Sequence, residues 1–356
     1  MAEELDYELT TRQKDSLQMD LFTLVDECEG ELDRYSNAIG DIEVIPRYIR
    51  GKNSPIKLTD VTESEEVVKR NPYMVNGNEL VCEVHPATVT RKEKGKQITY
   101  LMYPGDREEI IEQVLFMLAS NGGLTKHAIP GSAPRYGVQF SLYQIREELK
   151  KIGKTKSYDM IRESLIILRD SKIRISQNKN SKSMTITNDV FSAAALETTG
   201  TGRARDRCFI SFSDYVVEQI ASSNYRQYNF DRVLNHKATL ARFLHRYIHW
   251  NWRNASAGGR FKMETNRVMS AFGKSHLTME RMRRDLRDAL HLMVESGHIT
   301  SVPYSVNNVY QIEATTKLAE EIKRSMQKQL GIKRLSEDIE NGKRSELPPP
   351  RVFNAE

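Results

Sequence analysis

The sequence predicts an α+β chain: two tandem winged-helix domains, each a helix-turn-helix backed by a β-hairpin wing, with flexible N- and C-terminal tails. Three observations predict it. One order of elements (helix, strand, helix, helix, strand, tip, strand) can be read twice between residues 106 and 315. At 356 residues the chain exceeds one ordinary core, so two domains plus tails is the natural division. Charge is unevenly spread. Residues 1–34 hold eleven acidic against three basic residues, a local −8, so with +5 overall the remainder carries +13. A basic body behind an acidic arm suits a polyanionic partner.

Residues 1–40 read as an acidic flexible arm with one apolar cluster, Leu17 to Val25. Residues 41–105 form an irregular, β-containing segment that ends in two strands joined at Arg91–Lys96. The first winged-helix domain is placed at 106–205. Ile110, Ile111, Val114, Leu115 and Leu118 recur at helical spacing. After a Gly/Pro-rich loop come a short strand at 137–141 and a helix at 142–152 that Gly153 ends. A second helix follows, with Tyr158, Ile161, Leu165 and Leu168 on one face. Strands at 172–177 and 184–193 flank a polar tip, and 196–206 is a loop.

The second domain is placed at 206–330 and opens on a strand turning into a helix at 208–222. A long helix at 236–254 turns Leu240, Phe243, Leu244, Tyr247 and Ile248 inward. Gly258–Gly259 precede a strand, and a short helix stops at Gly273. The helix after it carries the stripe Met282, Leu286, Ala289, Leu290 and Met293 and is capped by Gly297. A hairpin then turns at Asn307–Asn308, and 316–329 reads as a solvent-facing helix. Residues 331–356 are expected to be a disordered tail.

A groove-reading helix needs cations and hydrogen-bond donors at its N-terminal half. The first candidate offers Lys154, Thr155, Lys156, Ser157 and Arg162, with Lys179 and Lys182 at the wing tip for flanking phosphates. The second offers Lys274, Ser275, His276, Thr278, Arg281 and Arg284, with Arg283 and Arg287 alongside. Asp285 and Asp288 lie where they could pair with Arg281 and Arg284. More arginine falls on the second helix, so it is expected to be the main reader, and double-stranded DNA the partner.

Gln18-Met19-Asp20-Leu21-Phe22 resembles the pentapeptide with which bacterial proteins dock on the DNA polymerase sliding clamp. Leu21 and Phe22 would fill a preformed apolar pocket and Gln18 would hydrogen-bond beside it. Packing of this segment on the body is the alternative.

Several chemistries find no support. Ala271 to Ser275 is similar to the end of a phosphate loop, but the first glycine such a loop requires is Val268. His245 and His249 are spaced for a zinc protease, yet Arg246 stands where its glutamate belongs, so both are expected at the surface or lining a groove. No His-hydrophobic-His pair for a nicking endonuclease occurs among the eight histidines. Cys28, Cys82 and Cys208 fit neither a disulfide framework nor a zinc site. No cofactor, no metal and no enzymatic activity are therefore expected. There is no secretory leader at the N-terminus and no run of about 18 apolar residues, so the expected setting is cytoplasmic, with no membrane partner.

With this element order over residues 106–315 and the peptide at 18–22, the chain resembles the theta-type plasmid replication initiators that bind iterons. It is similar to those of broad-host-range plasmids, whose peptide is Gln-Leu-Ser-Leu-Phe-like; Met19 and Asp20 depart from that form. The resemblance implies binding to direct repeats at a plasmid origin, opening of the adjacent AT-rich duplex, and recruitment of the host clamp, replicative helicase and chromosomal initiator. It also implies a possible homodimer, held mainly by the first domain, with DNA held mainly by the second. A winged-helix transcriptional regulator is the first alternative, and a primase-like or nicking enzyme the second.

Overall fold

The computed structural model describes residues 34–51, 55–61, 67–75, 77–127, 133–179, 182–187, 189–196, 208–300 and 304–340. Gln18, Leu21 and Phe22 lie outside them.

The chain enters on β1 (Tyr35–Ile39), buried along its whole length. β2 (Ile56–Lys57) is short, and β3 (Lys69–Val75), β4 (Asn78–His85), β5 (Ala87–Glu93) and β6 (Lys96–Met102) form two hairpins. Lys94 and Gly95 both have positive φ, as a tight two-residue hairpin turn requires. Pro72, which has no N–H to donate, sits on the edge strand β3.

α1 (Asp106–Leu118) is followed by β7 (Leu124–His127) and β8 (Arg135–Phe140). α2 (Leu142–Lys151) opens on a capping box: Ser141 Oγ accepts from the Gln144 N–H, and Gln144 Oε1 accepts from the Ser141 N–H. Gly153, at φ +68°, ends it. Ser157 caps α3 (Tyr158–Asp170). β9 (Lys172–Lys179), β10 (Lys182–Thr187), β11 (Phe191–Leu196), β12 (Cys208–Phe212), α4 (Asp214–Ala221) and β13 (Tyr225–Asn229) complete the first half.

α5 (Phe230–Asn235) leads into α6 (Thr239–Asn251). β14 (Arg260–Glu264), α7 (Thr265–Ala271), α8 (Met279–Glu295), β15 (Tyr304–Val306), β16 (Val309–Glu313) and α9 (Thr316–Glu340) follow. No helix among the described residues is long and apolar enough to cross a membrane.

The two halves repeat the order of elements but not the pairing. In the second half β14 pairs with β16, so the hairpin β15–β16 closes on the strand ahead of the helix pair. In the first half β8 pairs with β12, and β9 pairs with β4. The resulting sheet runs β10-β9-β4-β3. The segment read from sequence as irregular thus supplies two strands, β3 and β4, that extend the β9–β10 hairpin on its β9 side. The hairpin β5–β6 lies on the back of α3, where Ala87 and Val89 cover Ile167.

Two further expectations are corrected. The arm does not extend to residue 40: Tyr35–Ile39 pairs with Tyr225–Asn229, and Ala38 and Ile39 enter the first core. α9 runs to Glu340 rather than ending near 329, and it does not merely face solvent. Leu318, Ala319 and Ile322 fill the second core, and Ile332 reaches the first.

Candidate nucleic-acid interface

α7, the turn at 272–278 and α8 form the stronger candidate surface. α7 ends in a six-to-one closure: the Lys274 N–H donates to Met269 O and the Gly273 N–H to Ser270 O. This needs a left-handed residue, and Gly273 has φ +86°. A Cβ there would also lie 3.1 Å from Tyr48 O. Gly273→Ala is therefore expected to destabilise the fold by about 1–2 kcal/mol, read as a lower denaturant midpoint with an unchanged slope.

Thr278 Oγ accepts from the Arg281 N–H and starts α8. The helix buries Met282, Leu286, Ala289, Leu290 and Met293, the stripe that the spacing predicts. That choice of inner face decides the outer one: Arg281, Arg283, Arg284 and Arg287 are all exposed. Asp285 accepts from two of the candidate cations, Lys274 Nζ at 3.2 Å and Arg281 Nε at 2.9 Å. It holds the turn to the first part of the helix. Asp288 lies 4.0 Å from Arg287, not beside Arg284. Arg283 and Arg284 make no ion pair among the described residues. His276 and Thr278 are exposed and Ser275 is half-buried.

The hairpin is fixed against this helix pair. Tyr310 OH donates to Arg283 O at 2.9 Å, and Asn308 O accepts from the backbone N–H and hydroxyl of Thr265. Asn307 and Asn308 have φ of +50° and +65°, so the turn falls where the sequence places it.

The first candidate surface holds its described cations less exposed, with Lys154, Lys156 and Arg162 all half-buried. Ser157 Oγ is occupied as a helix cap, and Arg162 pairs with Asp159 at 3.1 Å. Thr155 is exposed and Lys156 half-buried. Lys154 is half-buried and faces the seam between the halves. Burial first, and Arg242 next, lower its pKa. Lys179 and Lys182 oppose each other across the tip of the β9–β10 hairpin, but their side chains lie outside the described residues.

Behind the second surface lies a buried ionic cluster that no sequence motif marks. Glu109 on α1 pairs with Arg50 at 2.6 Å and with Arg246 on α6 at 2.9 Å. Arg246 also holds Glu43 at 2.9 Å, and Arg50 also holds Asp106 at 2.6 Å. Arg47 pairs with Glu112. Arg50 further donates to Phe272 O and lies 4.3 Å over the Phe272 ring. Residues 43–50 thus connect α1, α6 and the turn that feeds α8. Burial alone would raise the Glu109 carboxyl, but Arg50 and Arg246 outweigh it and hold it at about 2.

The structure also corrects the expectation for His245 and His249. Both are almost wholly buried, because α6 is covered on nearly all sides. Burial pushes His249 down to about 4. Cys82 and Cys208 are both buried.

No family model and no curated protein matches the chain. Among solved structures it is similar to the crystal structure of selenomethionine derivatives of domains 2 and 3 of RctB, at 12% identity and TM-score 0.46, covering 78% of this chain and 96% of that one. A second crystal structure of RctB domains 2-3 gives 11% identity and TM-score 0.46, with 80% and 99% covered. The crystal structure of Pi initiator protein in complex with iteron DNA gives 11% identity and TM-score 0.39, with 59% and 92% covered.

Proposed function

We propose that this chain is a non-catalytic plasmid replication initiator that binds direct repeats at an origin through two winged-helix units. The observation that carries the reading is α8. A capped helix presents four exposed arginines away from its buried stripe, Arg283 and Arg284 make no ion pair among the described residues, and a hairpin is fixed beside it. Such a helix offers base-edge donors at its N-terminal part and phosphate partners along its side. α8 is the main reader in this proposal. The α2–α3 pair with the β9–β10 hairpin is the secondary contact, because Arg162 is paired with Asp159 and Lys154 is half-buried.

The test is footprinting of purified protein on the origin region of its own replicon. Protection of a series of direct repeats, with distortion of a neighbouring AT-rich stretch, supports the reading. Protection confined to a promoter without repeats would favour a regulator, and nicking or primer synthesis would establish an enzyme.

Docking on the host clamp through Gln18, Leu21 and Phe22 belongs to the same proposal, as does recruitment of the replicative helicase and chromosomal initiator. Replacing Leu21 and Phe22 by alanine is expected to leave DNA affinity unchanged and to cut clamp pull-down at least tenfold, since adjacent buried apolar anchors carry most of such an interface. Undiminished pull-down would assign the peptide to packing.

A further inference from the structure

Three histidines far apart in sequence meet in the interior of the second half. His236 follows α5, His245 lies on α6 and His298 follows α8. All are buried, His298 at 2% exposure and His245 at 0%. Their ring centroids lie 4.5–5.3 Å apart, and one nitrogen of each lies within 4.8 Å of the others. We propose that His236, His245 and His298 form a binding site for one zinc-type divalent metal ion.

The surroundings fit a metal better than a plain hydrogen-bonded core. His236 Nε2 and His245 Nδ1 are 3.1 Å apart. Nitrogens sharing a tetrahedral zinc, at bonds of about 2.0–2.1 Å, stand about 3.4 Å apart. The third nitrogen lies within 4.8 Å of both, so it must close by up to about 1.4 Å to join them. His298 Nδ1 is 2.7 Å from Ser296 Oγ, and its buried Nε2 has no hydrogen-bond partner among the described residues. An orphaned buried nitrogen aimed into such a cluster is costly unless something accepts its lone pair. His245 Nε2 lies 3.4 Å from Glu321 Oε1. A ligating imidazole commonly turns its other nitrogen to a carboxylate in this way, which fixes the ring and raises its basicity. Three imidazoles select zinc and its neighbours in the transition series over magnesium or calcium.

Such an ion would tie the end of α8 to α6 and to the segment that leaves the first half. No spacing motif reveals the site, because its ligands stand 9 and 53 residues apart.

The experiment uses the full chain, stripped with chelator and dialysed against zinc or cobalt(II) alone. One ion per chain is expected, with tetrahedral cobalt absorption and a melting temperature raised by a few degrees in excess metal. X-ray absorption at the zinc edge should count three imidazoles. His298→Gln and His236→Gln should lose the cobalt bands, while replacing the exposed His276 should keep them. No stoichiometric metal, fewer than three imidazoles at the zinc, or bands unchanged in folded His298→Gln protein would each overturn the proposal. The absorption measurement on the unaltered chain decides it even if a histidine variant fails to fold.

Discussion

Replacing Arg281 and Arg284 together by alanine is expected to weaken binding to the cognate repeat at least about thirtyfold, with the melting temperature unchanged. Each arginine is worth about 1–3 kcal/mol if it grips a base edge, and 1.4 kcal/mol is about tenfold. Both are exposed and neither packs in the core, so the cost to stability should stay within about 0.5 kcal/mol. The two should not contribute equally. Arg281 is held by Asp285 at 2.9 Å and must share or break that contact, whereas Arg284 makes no ion pair among the described residues. Titrations across salt concentrations check the assignment. An arginine that meets phosphate lowers the slope of log affinity against log salt by about one, and one that meets a base lowers discrimination instead. An unchanged footprint would remove α8 from the interface.

The second large effect is expected inside the protein. Glu109→Gln should cost about 3 kcal/mol, read by chemical denaturation, because breaking a buried ion pair leaves uncompensated charge. Arg50 and Arg246 would then face a neutral amide, each keeping one other carboxylate, Asp106 and Glu43. That remaining partner places the cost at the low end of the usual range of about 3–5 kcal/mol. The exposed pair Arg70–Glu83 is the control, and its loss should cost under about 1 kcal/mol. The effect has a pH signature. The Glu109 carboxyl is held at about 2, below its ordinary 4.5, so its stabilisation is complete above 4.5 and disappears as pH falls toward 2. The gap between the unaltered chain and Glu109→Gln should close over that window. A gap independent of pH would mean that the glutamine acts by misfit rather than by lost charge.

Local features of this chain are legible from its residues, and non-local ones are not. The stripe from Met282 to Met293 follows from helical spacing, and the Asn307–Asn308 turn from the tolerance of asparagine for positive φ. The pairing of β9 with β4 spans some ninety residues, and nothing in either strand names the other. Tyr35–Ile39 reads as part of a polar arm because its burial comes from β13 and α1, not from its own composition. Position on α8 singles out its arginines in advance. Arg50, Arg246 and Glu109 carry no such signal, since a buried charge looks in sequence like any surface charge. His236 and His298 carry no such signal either, and His245 stands out only by its spacing from His249.

The anchoring of Arg34 has a consequence for reach. Its guanidinium is held by Glu148 on α2 and by Asp231 on α5, so the chain is fixed to the body at that residue. Phe22 is twelve residues earlier, and twelve residues of fully extended chain span at most about 40 Å. A clamp docked on Leu21 and Phe22, as proposed, would therefore be leashed to within that radius of one spot on the protein, beside the junction of its two halves.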